Sequence, residues 1–119
     1  MTLIIFSINN RKIAELPPDA KPIADTDELL DIMADAGQEG AQRIILNENH
    51  LPSCFFDLKS GLAGEMLQKF SNYDMYLAVT GDFSRYKSNS LKDFIRESNR
   101  TGRIVFVESR DKAMLEFSK

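Results

Sequence analysis

The stretch Arg43-Ile44-Ile45-Leu46, followed by a polar loop from Asn47 to Pro52, reads as a short strand buried on both faces. A strand of that kind lies inside a sheet that helices cover, so its flanking segments decide the fold. Upstream, Asp25-Thr26-Asp27-Glu28 carries a cap oxygen with a glutamate three residues later. Leu29, Leu30, Met33 and Ala34 then recur at helical spacing, which predicts a helix over 26–37, with Gly37 and Gly40 able to supply the left-handed residue that ends it. Further upstream, Leu3–Ile8 and Lys12–Leu16 are β-type runs separated by Asn9-Asn10-Arg11. Asparagine tolerates the positive φ of tight turns, so these runs form an antiparallel hairpin. Pro17, Pro18 and Pro22 stop the strand from continuing.

Downstream, Cys54-Phe55-Phe56-Asp57 leads into a second helix from Ser60 to Phe70, with Leu62, Ala63, Met66, Leu67 and Phe70 on one stripe. Met75–Val79 is the next strand and ends at Gly81. A ten-residue stretch, Asp82–Leu91, precedes a third helix whose Leu91, Phe94 and Ile95 share a face, with Ser90 as its N-cap and Asn99–Gly102 as its close. Arg103–Val107 is the last strand, and Ser109 caps a terminal helix that docks through Met114, Leu115 and Phe117. The expectation is one α/β domain over residues 1–119, a mixed and mostly parallel sheet opened by a hairpin and covered by helices.

Composition bounds the function. With 43% apolar and 28% charged residues the chain matches globular averages. A net charge of −3 argues against general nucleic-acid binding, which needs a basic face. The charge is uneven: residues 15–39 hold eight acids against Lys21 alone, whereas residues 82–103 hold six bases against three acids. Each run is either a solvated face or one side of a charge-steered partner surface. Cys54 and His50 are single representatives of their types, which excludes an intrachain disulfide and leaves a zinc site or other metal cofactor without support. Met1–Ile8 lacks the features of a secretory peptide and no apolar run approaches a membrane span, so the expected setting is cytoplasmic. The Asn99-Arg100-Thr101 glycosylation pattern has no meaning there.

Two candidate sites stand out. Ser60 opens the second helix, where unpaired N–H groups favour an anion; it either caps the helix or, with Lys59 beside it, marks a phosphorylation switch or anion pocket. Gly61 and Gly64 carry a helix cost of about 1 kcal/mol each relative to alanine, which implies close packing or the close approach of a partner. Glu65, one turn on, is either solvated or placed to meet a cation. The second candidate is the loop Asp82–Asn89, because α/β sheets place ligands at the carboxyl ends of strands. Phe83 and Tyr86 flank Arg85 there, an interface-like mixture unless the aromatics fold back onto the core. Serine hydrolysis, with Ser60 assisted by Lys59, or by Asp57 and His50, lacks a G-x-S-x-G elbow and an oriented third group.

The segments Phe55–Glu65, Gly81–Tyr86, Ser90–Ile95 and Ser98-Asn99 resemble a bacterial family catalogued as domain of unknown function four thousand one hundred and eighty, a likeness that covers nearly the whole chain. It brings no activity with it. The order of elements also resembles STAS (anti-sigma-factor antagonist) domains, whose Asp-Ser-Ser-Gly-Leu signature carries a phosphorylatable second serine. Ser60-Gly61-Leu62 matches the second half of that signature, while Leu58 stands at its aspartate and Lys59 at its first serine. The resemblance implies a non-enzymatic regulatory module that binds another protein, without membrane or nucleic acid, and compatible with a homodimer. The alternative is a sensor of small anions or nucleotides at the Ser60 helix start. Asp57, Lys59, Ser60, Gly61, Gly64, Glu65, Asp82, Phe83, Arg85 and Tyr86 are the binding or switch candidates.

Overall fold

Asn9 and Asn10 turn the chain at φ 51° and 66°, the double left-handed step that joins two strands at the twist they prefer. In the computed structural model, which describes residues 3–119, this turn pairs β1 (Ile4–Ile8) with β2 (Arg11–Glu15) antiparallel, Phe6 opposite Ile13. Met1 and Thr2, the first residues of the Met1–Ile8 stretch, lie outside the described residues. Helix α1 (Thr26–Gln38) is capped by Asp25, which accepts the Glu28 N–H, and Glu28 accepts from Ala24 N–H in return. The chain then forms β3 (Arg43–Asn47), α2 (Leu62–Asn72), β4 (Tyr76–Thr80), α3 (Asn89–Thr101), β5 (Ile104–Val107) and α4 (Arg110–Phe117).

The strands lie in chain order, β1-β2-β3-β4-β5, and every pairing after the hairpin is parallel. Crossovers between successive neighbours keep one hand, which sends each connecting helix to the same face. Accordingly α1 and α2 bury Leu29, Met33, Ala63, Met66 and Phe70 against Ala14, Ile44, Leu46, Leu77, Val79 and Phe106, and Phe94 and Ile95 of α3 pack on the same cluster. The other face carries Ile13, Ile45, Ala78 and Val105, covered by Ala113 and Phe117 of the short α4. The alternating strand residues thus supply two cores, and β3 is buried on both faces as its sequence requires.

Several boundaries differ from the sequence reading for local reasons. The α3 cap is Ser88, which accepts the Leu91 N–H, and Ser90 already lies within the helix. Leu115 does not dock; it is 63% exposed, because the buried stripe of α4 runs through Ala113 and Phe117, four residues apart. Ser109 does cap α4, accepting from Lys112 N–H. Two of the three bases on α3 are paired within the helix, Arg96 with Asp93 and Arg100 with Glu97. At the β5 edge, Asn99 accepts the Phe106 N–H at 2.7 Å and donates to its carbonyl, so a side chain occupies backbone groups that an edge strand leaves open.

Candidate functional site at the carboxyl ends of β3 and β4

The chain leaves β3 in a 3-10 turn, Glu48–His50, fixed by reciprocal bonds: Asn47 Oδ1 accepts from Asn49 N–H and His50 Nδ1 accepts from Asn47 N–H at 3.0 Å. Ile23 N–H donates to the His50 carbonyl, tying the turn to the approach of α1. This scaffold aims Glu48, only 8% exposed, across the end of β4. A Cβ at Gly81 would stand 2.6–2.7 Å from the Glu48 side chain, so any larger residue there would displace the carboxylate where it crosses the backbone.

A buried carboxylate must be paired, and Glu48 is. Its Oε1 accepts the Asp82 N–H at 3.2 Å, and its Oε2 accepts from Arg85 at 2.6 Å and from the Tyr86 hydroxyl at 3.0 Å. Arg85 also donates to the Tyr86 oxygen at 2.9 Å, closing a triangle of three side chains. Asp82 caps the turn Phe83–Arg85 by accepting from both the backbone and the hydroxyl of Ser84, and those bonds hold its carboxyl below the usual range. The Tyr86 hydroxyl, and then the Glu48 charge, bind the Arg85 proton more firmly than usual. Burial pushes the Tyr86 phenol up. The result is a cationic head, 55% exposed, whose position is set from beneath.

Aromatic rings support that head. Tyr86 stacks on Phe56 at 4.9 Å and 18°, and Arg85 lies 5.0 Å over the Tyr86 ring. Phe83 turns inward and meets Phe106 edge-on at 5.4 Å, so it anchors the loop to the core while Arg85 stays outside.

The Ser60 region is built differently. A 3-10 turn, Leu58–Ser60, capped by Asp57 through Lys59 N–H, ends at Gly61 with φ 77°, and α2 begins only at Leu62. Gly61 is therefore the cap residue, and its left-handed backbone explains the glycine. Ser60 donates to the Cys54 carbonyl at 2.6 Å and accepts from Leu62 N–H at 3.2 Å. Asp25, Asp27 and Glu65 line the recess beside it, and neither Lys59 nor Arg85 does, so Lys59, Glu65 and Arg85 do not converge. An anion at Ser60 would face three carboxylates. A Cβ at Gly64 would touch nothing, which removes close packing as its reason and leaves that glycine unexplained. The two candidate segments are nonetheless neighbours, because the turn Ser53–Phe56 carries both Cys54, bonded to Ser60, and Phe56, stacked on Tyr86.

His50 has no hydrogen bond to Ser60; its Nδ1 is occupied by Asn47 N–H. Among the described residues no three His, Cys, Asp or Glu side chains gather to hold a metal ion, and no helix is long and apolar enough to cross a membrane. Glu48 escaped the sequence reading because a charged residue in a polar loop looks solvated. The one local signal was Gly81, a glycine directly after a strand, which often marks close approach.

Fold and site together define an α/β domain, with three helices on one face of a mixed sheet and a pre-set cation at the carboxyl ends of its strands. The chain belongs to the DUF4180 family, described as a domain of unknown function, whose model matches residues 8–116. No curated protein and no solved structure matches the chain.

Proposed function

We propose that this domain is a non-enzymatic regulatory module, STAS-like in its order of elements, that binds another protein through the loop Asp82–Tyr86 and the adjoining Phe56-Asp57. The observation that carries the reading is Arg85, exposed yet held by buried Glu48 and by Tyr86. Arginine and tyrosine dominate binding energy at interfaces, and a side chain already ordered loses less entropy when it binds. Cytoplasmic placement and protein recognition belong to the same proposal. Phosphorylation at Ser60 is not part of it, since the hydroxyl is engaged and acids flank it.

A photo-crosslinking residue at Tyr86, with a second at exposed Tyr73 as control, tests the proposal in cells. The expected result is a species captured from position 86 only, abolished by Arg85→Ala, retained in Ser60→Asp, and reproduced with the purified partner. Capture that ignores Arg85→Ala, or that occurs equally from position 73, overturns the reading.

A further inference from the structure

At the opposite end of the sheet, Asn10, Arg11, Lys12, Gly40, Gln42 and Arg43 line a cleft of about 420 Å³. Three cationic residues line it and no acidic residue does, in a chain whose net charge is −3. We propose that this cleft binds a phosphate-class oxyanion, either free or as the phosphoryl group of a larger ligand.

The argument rests on Arg43. Its guanidinium lies 4.9 Å over the Tyr76 ring, and Arg103 lies 4.4 Å over the same ring. Arg43 has no ion pair among the described residues, whereas Arg85, Arg96, Arg100, Arg103 and Arg110 each have one. Asp74, whose charge also reaches Arg43, is bonded to Arg103 at 3.1 Å. Arg11 donates to the backbone oxygens of Phe117 and Lys119, which hold it beside Arg43. Partial burial and the charge of Arg11 together weaken the hold of Arg43 on its proton. Two guanidinium groups and an ammonium, in a cleft lined by no carboxylate, form the donor set that recognises phosphate oxygens. The carboxyl end of α1 is close, and its dipole opposes an anion with about half a charge. That term is smaller than three full charges, and the Ala36 and Gly37 carbonyls already accept from Ala41 and Gly40 N–H groups.

Isothermal titration of the intact chain with pyrophosphate, at constant ionic strength set by sodium chloride, tests the site. The expected result is saturable binding, about tenfold weaker in Arg43→Gln and in Lys12→Gln, the loss of roughly one charge-assisted contact. Arg85→Gln should leave it unchanged, which separates this site from the protein-binding surface. Orthophosphate and phosphoserine arms distinguish the sources: equal affinity indicates recognition of the phosphoryl group itself, and tighter phosphoserine binding indicates a carrier. No saturation in the millimolar range, or equal binding by wild type and a folded Arg43→Gln protein, overturns the proposal.

Discussion

The two ends of the parallel strands treat charge in opposite ways. At the carboxyl ends a single buried carboxylate, Glu48, accepts three hydrogen bonds and fixes an arginine and a tyrosine. At the amino ends Arg11, Lys12 and Arg43 share a cleft without an acid. The difference follows from solvation. A buried charge without partners would cost several kcal/mol, so Glu48 must be satisfied within the fold, and its network becomes rigid architecture. Solvated cations can stay unpaired at little cost, which leaves their capacity for a ligand. One end is therefore a shaped surface, and the other an unfilled demand for negative charge.

Substitutions should break this contrast unequally. The largest effect is expected from Phe106→Ala, which removes the ring beneath Phe55, Phe83 and Phe94. A loss of about 3–5 kcal/mol is typical of such a truncation, to be read from urea unfolding. Glu48→Gln should cost about 1.5–3 kcal/mol, the range for hydrogen bonds to a charged group; hydrogen exchange at Asp82–Tyr86 should accelerate while the amides of Arg11 and Arg43 keep their protection.

Gly81→Ala forces the Glu48 carboxylate off its partners and should cost about 1–3 kcal/mol, as overpacking does, with a change in the near-ultraviolet dichroism of Tyr86. Gly64→Ala is its counterpart and should be neutral or stabilising by up to about 1 kcal/mol in thermal unfolding, since nothing meets the added methyl.

Acid should act on the Asp82 turn. Asp82 has a folded-state pKa below its unfolded value, so its contribution is present above the ordinary carboxylate range, near pH 3.9, and is lost as pH falls through its own lower value. Asp82→Asn should flatten that part of an acid unfolding curve. The smallest change is expected from Arg43→Gln, within about 0.5 kcal/mol of wild type in urea unfolding, as for most surface substitutions. A large loss there would mean that the amino end is architecture too.

Much of the fold was legible because local pattern and tertiary need coincide. The Asn9-Asn10 turn, the Asp25 cap, the apolar run of β3 and the stripe of α2 each express a backbone preference that burial then reinforces, whereas α1 turns Leu29, Ile32, Met33 and Ala36 inward and leaves Ala34 exposed. Legibility failed where two local solutions compete. Ser88 and Ser90 are equally good caps by type, and the chain enters α3 so that Ser88 accepts the Leu91 N–H. Ser60 looked like the start of α2 because serine caps well, but the preceding 3-10 turn takes Ser60 and passes the cap to Gly61. The loop Asp82–Tyr86 was recognisable from its aromatic and cationic residues, and its partner Glu48, 34 to 38 residues away, was not.

What the sequence determined by itself about this protein is the α/β alternation, the hairpin, the Asp25 and Ser109 caps and the two-faced central strand, all of which rest on spacing and on residue conformational preference. Only the tertiary structure decided which charges are satisfied. Burial and pairing depend on what the neighbouring strand brings alongside: β4 brings Gly81 under Glu48, and β2 brings Arg11 beside Arg43. The same residue types therefore make a locked network at one end of the sheet and an open cationic cleft at the other.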